Sequence, residues 1–173
     1  RKNLDWKPDL VIIGNSISRG NPEAERTLDE RLSFMALPEL LKYMFIKDKN
    51  SIVVSGTHGK TTTTSIISKI FTDAGKDPSY LIGGIPVGSD TGFKNGDGDY
   101  FIIEGDEYDT AFFDKRPKFV HYKPHCLIIN NIKHFSYSRR IGWWRRYFLF
   151  LLSDRNNFLF KNDIGQSLAG INL

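Results

Sequence analysis

The chain has 173 residues, 40% of them hydrophobic, which is enough to bury a real core and suits one domain or two small ones. Its net charge of +4 is concentrated at one end. Residues 133–173 hold seven basic against two acidic residues, which leaves 17 against 18 over residues 1–132, a net −1 with no electrostatic footprint for nucleic acid.

No apolar run approaches the roughly 18 residues of a membrane-spanning helix, so a membrane partner is not expected. The opening RKNLDWKPDL has no apolar signal-peptide core. The single cysteine, Cys126, has no partner for an internal disulfide and fits a reducing cytoplasm.

In chain order, Asp9–Gly14 (DLVIIG) reads as a buried parallel strand ending at a glycine turn. Asn21 and Pro22 then supply an N-cap and a first helical position for PEAERTLDERL. Leu37–Phe45 predicts a second short helix and Lys47–Asn50 a charged linker. Ile52–Val54 is a strand, followed by a glycine loop and a helix that ends near Gly75. Gly83–Gly98 is a glycine-rich loop or hairpin, and Tyr100–Glu104 and Leu127–Ile132 are further strands. Strands alternating with helices predict an α/β fold with a parallel sheet.

The run IVVSGTHGKTTTT, residues 52–64, carries the strongest functional signal. A strand, a glycine loop and a helix start in that order form a cradle for phosphate. Gly56 and Gly59 permit the tight turn, and Thr57, His58 and Thr62 complete the loop. Lys60 can reach the β- and γ-phosphates, while the Thr61 hydroxyl is placed to ligate Mg²⁺. Val54 stands where the general P-loop pattern has its first glycine, so this is the shorter G-T-H-G-K-T form.

GTHGKTTT resembles the ATP loop of the Mur ligases, the amide-forming enzymes of bacterial peptidoglycan synthesis. VIIGNSISRGNPE (11–23) and FIIEGDEYDTAFFDKRPKFVHYKP (101–124) resemble one branch of that family. That branch returns the murein tripeptide L-Ala-γ-D-Glu-meso-diaminopimelate to UDP-N-acetylmuramate during peptidoglycan recycling. The resemblance runs from about Asp9 to Ile132.

It implies that residues 1–46 are the end of a Rossmann-like UDP-sugar domain and that residues 51–132 are the first half of the central ATPase domain, which makes the chain a fragment that does not complete the reaction alone. It also implies an acyl-phosphate mechanism with ATP and Mg²⁺, and it makes Lys60 and Glu104 the catalytic pair. Glu104 takes the position of the acidic metal ligand beside Thr61, and the C-terminal end of a strand is where α/β sheets gather ligands. A strand-end carboxylate in solvent is the plainer reading of the same residue.

Asp106, Glu107 and Asp109 crowd the turn after Glu104, as helpers of a metal or as a solvated acidic loop. Ser16, Arg19 and Asn21 are candidates for UDP-sugar contact, with a capped loop as the alternative. His121 and His125 flank Lys123–Pro124, which breaks a helix and argues against a paired metal site. Related function classes are a UDP-N-acetylmuramate–L-alanine ligase, a folylpolyglutamate synthetase, which AFFDKRPKFVHY speaks against, and a non-catalytic nucleotide-binding module.

The resemblance fails after Asn130-Asn131-Ile132. The family continues Glu-Phe-Asp-His, whereas this chain continues Lys-His-Phe-Ser, so His134 inherits no metal role. Residues 133–173 contain nine of the 23 aromatics and no glutamate. Two origins compete for them. One is an added basic-aromatic segment for a membrane surface or single-stranded nucleic acid. The other, favoured by the break in mid-motif, is translation out of frame, leaving an aberrant tail.

Overall fold

A computed structural model describes residues 3–106 and 108–130, together with the backbone of 158–160. The tail expectation for 133–173 otherwise lies outside the described residues, as do Glu107 and His134.

β1 (Val11–Ile13) and β2 (Phe34–Ala36) form a two-stranded parallel sheet in which Val11 pairs with Phe34 and Ile13 with Ala36. Between them runs α1 (Pro22–Asp29). The Asn21 side chain accepts from the Glu23 and Ala24 amides at 2.9 and 3.2 Å, satisfying donors that the helix start would leave orphaned. The helix stops short of the expected Leu32 because Glu30 caps it and Arg31 turns into the left-handed region at φ 54°. The expected helix over Leu37–Phe45 is α2 (Leu37–Leu41) running into a π-helical turn over Lys42–Ile46.

The larger sheet has six strands, β3 (Asn50–Ser55), β4 (Ser79–Leu81), β5 (Phe93–Lys94), β6 (Tyr100–Glu104), β7 (Cys126–Ile129) and β8 (Phe158–Phe160), in the order β5-β4-β6-β3-β7-β8. All its pairings are parallel except that of β5 with β4. This is the expected α/β architecture with one antiparallel edge. β7 ends at Ile129, earlier than the expected Ile132, with the Asn130 amide donating to the Ser55 carbonyl at 3.0 Å. The Gly83–Gly98 segment holds β5, and so is a hairpin return onto β4.

β3 lies between β6 and β7, and its run from Ser51 to Ser55 is buried, as a central parallel strand requires. Val53, Ile103, Phe119, Tyr122 and Leu127 form the heart of the core, and Ile46 joins it from the π-helical turn. α3 (Lys60–Asp73) follows β3, and α4 (Lys118–His121) precedes β7.

Gly105, just beyond β6, is obligatory for packing. A Cβ there would meet Val53 Cγ1 at 2.5 Å and Phe119 Cβ at 2.6 Å. Its absence lets Phe119 pack directly against Val53 of β3.

Among the described residues no helix is long and apolar enough to cross a membrane.

Candidate functional site at the carboxyl edge of the sheet

The phosphate loop spans the four residues between the end of β3 at Ser55 and the start of α3 at Lys60. Gly59 caps the helix at φ 79°, a left-handed conformation that costs other residues conformational energy. A side chain there would also approach Asn130 Nδ2 at 3.2 Å. The same Nδ2 donates to Thr63 Oγ1 at 2.8 Å, so Asn130 buttresses the loop from the end of β7.

The threonine run is divided by helical period. Thr61 and Thr62 are exposed at the helix start, whereas Thr64 is fully buried and donates to the Lys60 carbonyl at 2.7 Å.

Lys60 Nζ donates to the Gly56 carbonyl at 2.7 Å, folding back across the loop, and lies 3.7 Å from Asp106 Oδ1. Thr61 Oγ1 donates to Glu104 Oε2 at 3.2 Å. The other carboxylate oxygen of Glu104 accepts from the Gly83 amide at 2.7 Å. The register explains the meeting: Glu104 pairs with Val54, so the last residue of β6 lies beside the strand that feeds the loop. β3, β4, β6 and β7 thus bring Lys60, Gly83, Glu104 and Asn130 to one edge, where open α/β sheets bind ligands. His58 is exposed in the loop.

Thr61 and Glu104 offer a hydroxyl and a carboxylate already within hydrogen-bond distance of each other. These are hard oxygen donors of the kind that suits Mg²⁺, so the residues present fit the metal the sequence pattern suggests.

Asp106 is more than a member of a solvated acidic loop. Its Oδ2 accepts from Lys118 Nζ at 2.9 Å while Oδ1 faces Lys60. Beneath it, burial and to a lesser degree Asp106 itself push the Tyr122 phenol up, so Tyr122 stays protonated. Asp109 pairs with Lys115 at 3.2 Å, away from these contacts.

Sequence reasoning did not single out Lys118, Gly83 or the side chain of Asn130 as parts of the site. Lys118 stands twelve positions from its partner with no motif between them, and Gly83 contributes only its backbone amide.

Of the earlier candidates, Asn21 is committed to the α1 cap, and Ser16 and Arg19 are exposed. His121 and His125 take separate places. His125 Nδ1 accepts from the Ser51 amide at 3.1 Å. His121 is buried, with Nε2 3.0 Å from Asp114 Oδ2 but out of hydrogen-bond alignment. Its imidazole, Asp114 and Glu39 have ligand atoms within 4.8 Å of one another. Arg116 already fills that cluster, however, with a two-pronged contact to Asp114 at 2.6–3.2 Å.

Burial pushes the Asp114 carboxyl up, but hydrogen bonds from the Arg116 side chain and backbone outweigh it and hold the group below its ordinary value. Burial lowers the His121 pKa, against the opposing pull of Asp114. The cluster is therefore a neutral imidazole beside a guanidinium–carboxylate pair.

A mostly parallel α/β sheet with a glycine loop, a lysine–threonine helix start and an acidic strand end at its carboxyl edge defines a phosphate-loop domain. No protein-family model matches the chain. Individual proteins do. The UDP-N-acetylmuramate–L-alanyl-γ-D-glutamyl-meso-2,6-diaminoheptandioate ligase of Haemophilus influenzae is 50% identical over 129 residues, covering 75% of this chain and 28% of the relative. The ligase of the same name from Escherichia coli K12 is 46% identical over 130 residues, with the same coverages. The crystal structure of the corresponding ligase from Neisseria meningitides superposes with a TM-score of 0.81 at 34% identity, covering 94% of this chain and 54% of that one.

The chain belongs to the Mur ligase family. It spans about 28% of the length of the curated relatives it matches.

Proposed function

We propose that the chain carries the phosphate-binding part of an ATP-dependent ligase. The ligase joins L-Ala-γ-D-Glu-meso-diaminopimelate to UDP-N-acetylmuramate through an acyl phosphate, in the cytoplasm. The observation that carries the reading is the convergence of Lys60, Thr61 and Glu104 on one sheet edge, with Thr61 and Glu104 in contact at 3.2 Å. The names of relatives at 46–50% identity supply the substrates.

In the first step an oxygen of the UDP-N-acetylmuramate carboxylate attacks the γ-phosphorus of ATP. The bond from that phosphorus to the β–γ bridging oxygen breaks, and ADP leaves with the electron pair. The tripeptide amine then attacks the acyl carbon, expelling phosphate and losing a proton. Lys60 holds positive charge against the transferring phosphoryl oxygens, releasing its contact with the Gly56 carbonyl to do so. Gly56, Thr57, His58, Gly59 and Thr62 complete the loop around the phosphates. Thr61 and Glu104 would hold Mg²⁺, which when bound neutralises charge on the β- and γ-phosphates.

Calorimetric titration of the 173-residue chain with ATP in the presence of Mg²⁺ tests the reading. Lys60→Ala is expected to weaken binding by about tenfold or more, since a charge-assisted hydrogen bond contributes ~1.5–3 kcal/mol. Equal affinity in the folded variant refutes the phosphate role of the loop.

A further inference from the structure

A cleft of about 210 Å³ opens beside the phosphate loop. One wall is the C-terminal end of β1 with Asn15, and Leu37 and Leu41 of α2. The other carries Glu104, Asp106 and Lys118. Strand ends from both sheets therefore face one space. Among the described residues, the charged groups lining it are two carboxylates and one ammonium. With the carboxylates alone such a space repels an acid, because like charges a few ångströms apart near a protein surface cost several kcal/mol. Lys118 offsets one of the two and places a positive group on the cleft wall.

The position of Lys118 is fixed. It is the first residue of α4, set by Pro117, and its side chain is 20% exposed. Its Nζ is 2.9 Å from Asp106 Oδ2, and the other oxygen of that carboxylate is 3.7 Å from Lys60 Nζ. One aspartate thus spaces two ammonium groups, one from the phosphate loop and one lining the cleft. Such a pair of cations suits phosphoryl transfer to an acid. The donor phosphate and the acceptor carboxylate are both anions, and each must be held against the other's repulsion.

Resting on the function proposed above, we propose that Lys118 is a specificity-determining residue that binds the acceptor carboxylate of UDP-N-acetylmuramate in this cleft. Asp106 is the positioning residue that sets it one carboxylate away from Lys60. Lys118 holds the acceptor as its oxygen bonds to the γ-phosphorus, the phosphorus–oxygen bond to ADP breaks, and ADP departs with the electron pair. No proton moves in this step.

UDP-N-acetylglucosamine, which lacks the lactyl carboxylate, isolates the contact. Calorimetric titration of the 173-residue chain with UDP-N-acetylmuramate, UDP-N-acetylglucosamine and Mg²⁺–ATP should show a preference for the acid. Lys118→Gln is expected to lower UDP-N-acetylmuramate affinity about tenfold or more and to abolish that preference. ATP and UDP-N-acetylglucosamine affinities should hold, and Lys118→Arg should retain most of the preference. Lys118→Met, which keeps the aliphatic stem, carries the same test if the glutamine variant does not fold.

A preference that survives both neutral variants overturns the inference. So does a parallel loss of all three ligands, which would mark Lys118 as structural. If ATP binds and depends on Lys60 while Lys118 has no effect, this inference alone fails. If the unsubstituted chain binds neither ATP nor UDP-N-acetylmuramate, the proposed function fails with it.

Discussion

Gly105→Ala tests whether close packing demands a glycine just beyond β6. The added Cβ falls 2.5 Å from Val53 Cγ1 and 2.6 Å from Phe119 Cβ. Ordinary carbon–carbon contact is about 3.5–4.0 Å, so roughly 1 Å of movement is needed against each neighbour. Both are locked, since Val53 is 0% and Phe119 1% exposed, and a close-packed interior has no adjacent void to absorb the shift. Overpacking of this kind costs about 1–3 kcal/mol. For a chain of this size that lowers the thermal midpoint by about 2–4 °C per kcal/mol.

The two halves of the clash also have different consequences. Movement of Phe119 carries Lys118 with it, and movement of Gly105 displaces Glu104 and Asp106. Urea denaturation and ATP titration of the same variant should therefore both report a loss. Gly14→Ala is the internal control, because nothing lies within 4 Å of the Cβ it would add. If Gly105→Ala unfolds within about 0.5 kcal/mol of the parent, the close-packing argument is wrong, since effects of that size are typical of surface substitutions.

Asn130→Ala removes the donor to Thr63 and should cost about 1 kcal/mol in urea denaturation. ATP should bind more weakly as the loop loosens, and unchanged affinity would show that Asn130 does not support it. The His121 cluster predicts a pH dependence. Burial lowers the folded-state pKa of His121 beneath its ordinary 6.5, so its contribution is full above that pH and is lost as pH falls below it, when the unfolded chain takes up a proton first. Asp114, held below its ordinary 3.8, adds a second loss as pH falls below that value. The thermal midpoint should drop between pH 7.5 and 5.0, and His121→Gln should flatten that drop; an equal slope in the variant would remove His121 as its cause.

The parts of this molecule legible in its sequence are those whose physics is local. Asn21 and Pro22 announce α1 because capping needs only neighbouring amides, and the β-branched runs around Val53 and Ile102 announce strands buried on both faces. β2 and β4 were missed because three residues hold too little periodicity. Ser79 is fully buried yet polar, and what holds it is Lys49, thirty positions away, which donates to its hydroxyl at 2.9 Å.

The same division runs through the site. The loop was readable because glycine, lysine and threonine must be adjacent in sequence to surround a phosphate. The contact between Thr61 and Glu104 could be expected because β3 feeds the helix that carries Thr61 and Glu104 ends β6, its neighbour in one parallel sheet. Lys118 lies in a segment that marks the family branch, but nothing there gave it a role, because its meaning comes from a partner on another element and from a cleft that exists only when two sheets face each other. Sequence motifs thus report the half of a phosphoryl-transfer site that grips the donor. The half that admits the acceptor is assembled by tertiary structure, and there the chemical identity of the acid is decided.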